Sequence, residues 1–322
     1  MHVTQKIGGG NSAERPVHGA WLFAYFKEPG SQGIYLALSR DGYHYEPLND
    51  GQPWVVPAHP GELMRDVFLT RGPDHLFHMV WTWGWHGNSL GYASSPDLLT
   101  WSAEKQIPIM RDFPETNNVW APEIYWDAKR QEWLVIWSSS MKEPIKGFGK
   151  GVGTGNRIWS SFTPDFNTFS KPQIFFDPGY VTIDATIFHG ASGPYRLIFK
   201  DQTYDPLCFQ ERVATGPTLE GPWKEISGPI NESWSEGPSV IHVGNRYIVY
   251  YDHYRAPRAR YEAVATTDWK HWVDITAQTS LPEHCKHGSF LKITDAEAAR
   301  LLARHDAPQA GEPSASVNDD RK

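Results

Sequence analysis

Residues 236–251 read EGPSVIHVGNRYIVYY, and this stretch decides the fold. Glu236 opens an apolar segment, Gly244-Asn245 supplies a tight turn, and a second apolar segment runs from Tyr247 to Tyr251. Two β-rich segments joined by so short a turn are typical of a β-hairpin. The stretch therefore predicts a strand, a hairpin turn and a second strand, with a carboxylate at the start.

The same order of acid, strand, turn and strand occurs three more times along the chain. These copies begin at Asp66, Glu123 and Asp184, so the four copies are separated by 57, 61 and 52 residues. A second phrase lies between them, with a small or polar turn, an acid, and an aromatic residue four positions later. Its clear copies are Asp41 with Tyr45, Asp97 with Trp101, Asp165 with Phe169 and Asp268 with Trp272, and residues 214–223 hold a degenerate fifth.

A repeating unit of this length with several short strands is typical of a β-propeller blade. The repeat predicts an all-β fold, a five-bladed β-propeller with the acids at the starts of its innermost strands. We expect the fifth blade to combine strands within residues 19–26 and 33–38 with an inner strand at 287–294. Closure by both termini leaves no open sheet edge. The four carboxylates should then ring one end of the central channel.

The repeat also sets the expected domain boundaries. Residues 1–18 are an N-terminal extension, and residues 19–294 form a single propeller domain. Residues 295–322 form a short helix, with Leu301 and Leu302 as its apolar contacts, followed by a disordered tail.

Composition excludes several classes of partner. The net charge is −7 without any block of Lys and Arg, which argues against nucleic acid. No apolar run reaches the roughly 18 residues that a membrane span needs. Met1–Pro16 shows no signal peptide, which leaves open a cytoplasmic location or secretion after removal of a leader.

Cys208 and Cys285 form no disulfide framework or zinc motif, and we expect buried thiols. The sequence does not indicate an oligomeric state.

Acids gathered at one end of a channel repel one another and lose solvent, which pushes their pKa values apart. One protonated acid and one ionised base are what hydrolysis of a glycosidic bond requires. The four acids lie in the motifs Arg65-Asp66-Val67, Trp120-Ala121-Pro122-Glu123, Ile183-Asp184-Ala185-Thr186 and Ser235-Glu236-Gly237-Pro238. These motifs resemble glycoside hydrolase family 43, over about residues 20–294.

The resemblance implies an inverting exo-acting glycosidase in which Asp66 is the base, Glu236 the acid and Asp184 the group that raises the pKa of the acid. It implies release of terminal α-L-arabinofuranose from plant-type polysaccharides or oligosaccharides. β-Xylosidase and galactofuranosidase activities stay open, as does a non-catalytic carbohydrate-binding propeller. A retaining fructosidase-type enzyme would need a nucleophile near the N-terminus, and Asn49-Asp50-Gly51 is the nearest match.

Further residues are candidates for the site. Trp83, Trp120, Glu123, Lys200 and Arg255 are expected to bind the sugar. His287-Gly288 is similar to a family position near a bound cation, so His287 is the candidate metal ligand. No cofactor is expected to be required, although a structural cation such as calcium in the channel stays open. The glycine-rich stretch 147–155, GFGKGVGTG, lacks a phosphate-loop signature and is interpreted as a loop between two strands of the second blade.

Overall fold

The structure is a computed structural model that describes residues 19–143, 155–225 and 227–305. Within these ranges, the strands form five antiparallel sheets of four strands each. Each sheet is one blade, and the sheets follow one another along the chain except for the fifth.

The blades have the following bounds. Blade one holds β4 (Arg65–Arg71), β5 (Phe77–Thr82), β6 (Leu90–Ser95) and β7 (Lys105–Ile107). Blade two holds β8 (Trp120–Asp127), β9 (Glu132–Ser139), β10 (Arg157–Thr163) and β11 (Gln173–Phe176). Blade three holds β12 (Thr182–Phe188), β13 (Tyr195–Asp201), β14 (Gln210–Gly216) and β15 (Lys224–Glu225). Blade four holds β16 (Ser235–Val243), β17 (Arg246–His253), β18 (Arg260–Thr266) and β19 (Val273–Asp274).

Blade five joins the two ends of the propeller. Its strand order is β20 (Lys286–Ile293), β1 (Ala20–Phe26), β2 (Tyr35–Ser39) and β3 (Glu46–Pro47). The β20–β1 register places Leu291 opposite Leu22. The five-bladed fold and its closure by strands from both ends, predicted from the repeat, are confirmed.

The acid of the second repeated phrase caps the turn after the third strand of a blade. Asp97, which follows β6, accepts hydrogen bonds from the backbone amides of Leu99 and Thr100 at 2.8 Å each. Asp41, Asp165 and Asp268 make the same pair of bonds in their own blades. Side-chain oxygens of Asp stabilise turns in this way. These acids are therefore structural.

Apolar clusters fill the spaces between neighbouring blades. Aromatic side chains are prominent in them, including Trp81 between blades five and one and Trp137 between blades one and two. The helix α1 (Asp295–His305) packs on the blade five–blade one cluster, with Leu301 buried and Leu302 half-buried. Packing of β-sheet faces against each other explains the high content of large aromatic residues.

Three of the segments discussed from the sequence lie wholly or partly outside the described ranges. The N-terminal extension, the tail after residue 305 and residues 147–154 of the glycine-rich stretch lie outside them. Cys208 and Cys285 are both free thiols, Cys285 buried and Cys208 half-buried. None of the helices in the described ranges has the length and the hydropathy that a membrane-spanning helix needs.

Candidate active site

A β-bulge opens each of the innermost strands. Two residues of the inner strand lie opposite one of its neighbour: in blade one, Arg65 pairs with Thr82 and Phe68 with Val80, so that Asp66 and Val67 face Trp81. A bulge bends a strand and redirects its side chains. The bulges begin at equivalent positions, which are Arg65, Trp120, Ile183, Glu236 and Lys286.

The second position of the bulge carries much of the site. It is occupied by Asp66, Ala121, Asp184, Gly237 and His287. The first four have a left-handed backbone, with φ of 51°, 46°, 53° and 63° respectively. Positive φ is uncommon for residues other than glycine and is often found at functional positions. At its second position the repeated bulge thus presents the carboxylates of Asp66 and Asp184 and the imidazole of His287. Glu236 occupies the first position of its own bulge, directly before Gly237.

Asp66, Asp184 and Glu236 line one cavity of about 540 Å³. We call it the central cavity. A volume in this range is typical of small-ligand sites. Of the other residues expected at the site, Trp120, Lys200 and His287 also line it, whereas Trp83, Glu123 and Arg255 do not.

A larger cavity lies beside blades four and five, with a volume of about 790 Å³. Glu28 and Lys286 line both cavities. None of the three candidate catalytic acids lines the larger cavity. The grouping of acids therefore identifies the smaller, central cavity as the candidate active site.

The carboxylate of Asp66 is fixed by a threonine of its own blade. The Thr82 hydroxyl donates a hydrogen bond to Asp66 Oδ2 at 2.6 Å and accepts one from the Ala121 amide at 2.8 Å. His287 Nδ1 lies 3.6 Å from Asp66 Oδ1. One threonine therefore orients Asp66 and ties blade one to blade two.

Asp184 is held by backbone and imidazole groups. Its own amide donates to Ser138 Oγ at 3.0 Å, and the Gly237 amide donates to Asp184 Oδ2 at 3.2 Å. Burial raises the pKa of Asp184 to about 6; His287, whose Nδ1 is 3.8 Å from Oδ2, opposes the rise and Glu236 adds to it. Asp184 is thus coupled by charge to the other members of the site.

Glu236 forms an ion pair with Lys200. Lys200 Nζ lies 3.0 Å from Glu236 Oε2 and donates to the Tyr254 hydroxyl at 3.3 Å. Burial is the largest single influence on the pKa of Glu236 and acts to raise it. The charge and hydrogen bond of Lys200, together with the charges of His287 and Lys286, lower it, and the net pKa is lowered. In this arrangement Glu236 is ionised, whereas the predicted acid role requires a proton.

Glu123 lies deeper in its strand than the other three acids. It occupies the fourth position of its bulge, opposite Ile136, and is 6% exposed. It accepts a hydrogen bond from the Tyr125 hydroxyl, and burial raises its pKa to about 8. The expectation that four carboxylates ring the channel end is corrected to three, because Glu123 is offset along β8 by three positions from Glu236 in β16.

The tryptophan at the cavity wall of blade one is Trp85. Strand β5 ends at Thr82, so the alternation of side chains that places Trp81 and Trp83 on one face does not extend to Trp85. Trp83 packs against the blade five–blade one cluster, whereas Trp85 is 49% exposed and lines the cavity. The Trp120 indole N–H donates to the Trp85 carbonyl at 3.1 Å. Trp85, and not Trp83, therefore joins Trp120 as a sugar-stacking candidate at this wall of the cavity.

Arg255 lies behind another wall of the cavity. Its guanidinium is 4.3 Å from the ring centroid of Trp234, which lines the cavity. Cation–π contacts of this kind orient aromatic rings. Its contact with the cavity is through that ring.

Sequence reasoning missed several cavity residues. Trp234 and Tyr254 lie in segments next to strand ends, and Lys286 occupies the first bulge position of blade five. Aligning the innermost strands would have placed Lys286 at the same position as Glu236. Trp234 and Tyr254 do not recur at matching positions in the other blades, so the repeat could not identify them. Asn49–Gly51 forms a 3₁₀ turn and does not line the cavity.

The cavity does not offer a cation a recognisable set of ligands. No group of three His, Cys, Asp or Glu side chains in the described ranges is placed to hold a metal ion. Calcium usually takes six to eight oxygen ligands. His287 instead faces the Asp66 and Asp184 carboxylates. A metal role for His287 does not fit these residues.

Comparison with known proteins gives the family of the chain. Residues 17–299 match the glycosyl hydrolase 43-related family, described as "Probable glycosyl hydrolase domain". An α-L-arabinofuranosidase from Bifidobacterium longum subsp. longum is 23% identical over 345 aligned positions, which cover 83% of this chain and 32% of that protein. The chain thus spans about a third of the length of this curated relative.

Solved structures share the fold. A thermostable family-43 glycoside hydrolase superposes with a TM-score of 0.50 and 15% identity, covering 66% of this chain and 71% of the other. An exo-β-1,3-galactanase from Clostridium thermocellum gives 0.52 and 13%, covering 68% and 48%. The match of the family profile to most of the chain shows that this protein belongs to the glycosyl hydrolase 43-related family.

Proposed function

We propose that the chain is an inverting exo-acting glycoside hydrolase that releases terminal α-L-arabinofuranose from plant-type polysaccharides or oligosaccharides. The observation that carries the proposal is the convergence of Asp66, Asp184 and Glu236 on one cavity. The activity named for the Bifidobacterium relative supports arabinofuranose as the sugar. Paired carboxylates of different protonation are the chemical requirement of glycoside hydrolysis.

Asp66 is the proposed base. Its Oδ2 is held by the Thr82 hydroxyl, which leaves Oδ1 to accept a proton from water. An inverting enzyme needs a water between its base and the anomeric carbon. Asp66 would remove a proton from that water as the glycosidic bond breaks.

Glu236 is the proposed acid, with Asp184 as its modulator. Glu236 would give its proton to the leaving oxygen. A negative charge on Asp184 opposes ionisation of Glu236, and the Gly237 amide that binds Asp184 belongs to the residue directly after the acid. Asp184 therefore acts on Glu236 through both charge and the position of its backbone.

Aromatic walls would hold the sugar over these groups. Trp85, Trp120, Trp234 and Tyr254 line the cavity around the acids. Sugar rings have apolar faces that pack on aromatic side chains, while their hydroxyls hydrogen-bond to polar groups such as Lys200 and Lys286. The contacts fix orientation, which is a large part of enzymatic rate enhancement.

The test is hydrolysis of 4-nitrophenyl α-L-arabinofuranoside, β-D-xyloside and β-D-galactofuranoside by wild type and Asp66→Asn. We expect wild type to cleave the arabinofuranoside best and the variant to lose at least about a hundredfold in kcat/KM. Proton NMR of the first-formed sugar should show the inverted anomer.

Other outcomes are informative. Preferred cleavage of the xyloside or galactofuranoside would replace arabinofuranose with that sugar. Sugar binding without cleavage of any of the three would contradict the hydrolase proposal and favour a carbohydrate-binding propeller. A retained anomer would contradict inversion.

A further inference from the structure

Glu211 is a buried acid outside the set assigned above. It lies in β14 of blade three and is 0% exposed. In the described part of the chain neither of its carboxylate oxygens makes a hydrogen bond of good geometry, although the Ser235 hydroxyl is close enough to lower its pKa. A buried ionised carboxylate without a partner is strongly disfavoured. Burial accordingly raises the pKa of Glu211 to about 8, so that it is mostly protonated at neutral pH.

Lys200 lies between Glu211 and Glu236. Lys200 and Glu211 are direct register partners in β13 and β14, so their side chains share one face of the sheet with Cβ atoms about 5 Å apart. The Lys200 ammonium reaches across to blade four, where it pairs with Glu236. Lys200, which is 2% exposed, thus has Glu211 as its register neighbour within blade three and Glu236 as its hydrogen-bonded partner in blade four.

Among the charged groups around Glu211 and Glu236, Lys200 is the main cation acting on the pKa of both carboxyls. Asp184 and Glu236 raise the pKa of Glu211, and Tyr251 also faces it; Lys200 is the cation that lowers it. Glu236 is influenced by His287 and Lys286 as well, but Lys200 is the largest cationic influence on it. The position of Lys200 therefore decides which of the two carboxylates is ionised.

We propose that Lys200 alternates between two carboxylate partners, Glu236 as seen here and Glu211 when the oxygen of the leaving group approaches Glu236. The inference rests on the proposed function, because it explains how Glu236 acquires the proton that an acid needs. The exchange conserves charge: Glu211 loses one proton on receiving the ammonium, and Glu236 gains one on losing it. Glu211 is a positioning residue, since it acts on the reaction through Lys200.

The activity test is Glu211→Gln, which keeps the shape of the side chain and removes its charge. Lys200 then stays on Glu236 and keeps it ionised. We expect kcat/KM to fall at least about tenfold for an aryl arabinofuranoside with a poor leaving group and little for an activated one. The alkaline limb of the pH profile should move to lower pH.

A merely structural role for Glu211 would give a different result. It would lower kcat/KM equally for both substrates and leave the pH profile in place. Either equal losses or an unchanged profile would overturn the proposal. Thermal unfolding of the variant shows whether it is folded.

A second test needs no substrate and therefore separates this inference from the proposed function. Proteins labelled with ¹³C at Glu carboxyls are titrated by NMR, with the Glu211 signal assigned by its loss in Glu211→Gln. In Glu236→Gln, Lys200 has lost one of its two proposed carboxylate partners and should pair with the other, Glu211. Because the ammonium favours the ionised carboxylate, the pKa of Glu211 should fall by about 1 or more.

Asp184→Asn is the matched control for this titration. It also removes a negative neighbour of Glu211 but leaves Lys200 paired with Glu236. A larger fall of the Glu211 pKa in Glu236→Gln than in Asp184→Asn supports the exchange of partners. An equal or smaller fall would overturn it, whether or not wild type cleaves any of the glycosides.

Discussion

Thr82 is a single residue on which the position of the proposed base depends. It is 1% exposed, donates to Asp66 Oδ2 and accepts from the Ala121 amide of the next blade. Thr82→Val keeps the volume but removes both bonds and leaves the Ala121 amide unsatisfied. We expect kcat/KM to fall by about a hundredfold, because small displacements of reacting groups carry penalties of that order. Steady-state kinetics on the preferred aryl glycoside measure the change.

Thr82→Ser is the control for this prediction. It keeps the hydroxyl and should retain most of the activity. Equal activity in wild type and Thr82→Val would show that Asp66 needs no such orientation.

At the residue level, the order of acids along the repeat was sufficient to predict Asp66, Asp184 and Glu236 at one location. Their partners could not be predicted in the same way. Lys200 pairs with Glu236 across two blades, and such a contact depends on the reach of a side chain rather than on spacing in the sequence. The ionised state of Glu236 follows from that contact.

The β-bulge of blade four is the element that joins the acid to its modulator. Gly237 has φ of 63°, and a Cβ there would lie 2.4 Å from Cγ of His287. Gly237→Ala should therefore lower the free energy of unfolding by about 2 kcal/mol or more and displace Glu236 from the cavity. Urea denaturation and kinetics measure the two effects.

Gly244→Ala provides a matched control. Gly244 has nearly the same φ, 61°, but a Cβ there would meet nothing within 4 Å. Gly244→Ala should lower the free energy of unfolding only by the backbone strain, about 1 kcal/mol, and should retain activity. Equal losses in the two variants would mean that the contact with His287 is unimportant.

Turn-capping acids are elements of blade structure rather than of catalysis. Asp97 accepts two backbone hydrogen bonds after β6. Asp97→Ala should reduce the free energy of unfolding by about 1 kcal/mol without changing kcat/KM of the folded fraction. Asp97→Asn, which keeps an acceptor oxygen, should lose less. A fall in kcat/KM with unchanged stability would contradict this structural role.

Strands and hairpins were predictable because their alternating patterns repeat once per blade. The bulges were not, because one extra residue shifts which side chains face the channel without altering composition. Without the bulge as a reference, Glu123 and Glu236 were treated as equivalent strand starts, although Glu123 occupies the fourth position from its bulge and Glu236 the first. The end of β5 at Thr82 similarly moved the cavity tryptophan from position 83 to position 85.

At the scale of the whole molecule, several buried carboxylates share one electrostatic property. Burial raises the pKa of Glu123 and Glu211 to about 8, of Asp252 to about 7 and of Asp184 to about 6. The folded protein therefore binds protons that the unfolded chain releases near its ordinary pKa values of about 4. These four groups make the free energy of unfolding fall as pH rises from about 4.5 through 8, and the pKa of His78, which burial lowers, opposes that fall in part. We expect a lower free energy of unfolding at pH 8.5 than at pH 5.5, measured by urea denaturation.

Glu123→Gln should make this pH dependence smaller, because it removes one carboxyl with a raised pKa and keeps an acceptor for the Tyr125 hydroxyl. Glu46→Gln, at an exposed position of β3, should not change it. A protein more stable at pH 8.5 than at pH 5.5 would contradict the raised pKa values.

Ring closure concentrates these groups. Strands from both ends complete blade five, and the starts of the innermost strands then meet around one cavity. Residues separated by more than two hundred positions, such as Asp66 and His287, become neighbours only in the closed ring. The fold therefore creates the site that no single blade contains.

The most direct test of the central claim compares wild type and Glu236→Ala on aryl α-L-arabinofuranosides with good and poor leaving groups. An activated leaving group needs little protonation. We expect a large loss in kcat/KM on the poor leaving group and a much smaller loss on the good one. The same loss on both, in a variant that remains folded, would show that Glu236 does not donate the proton.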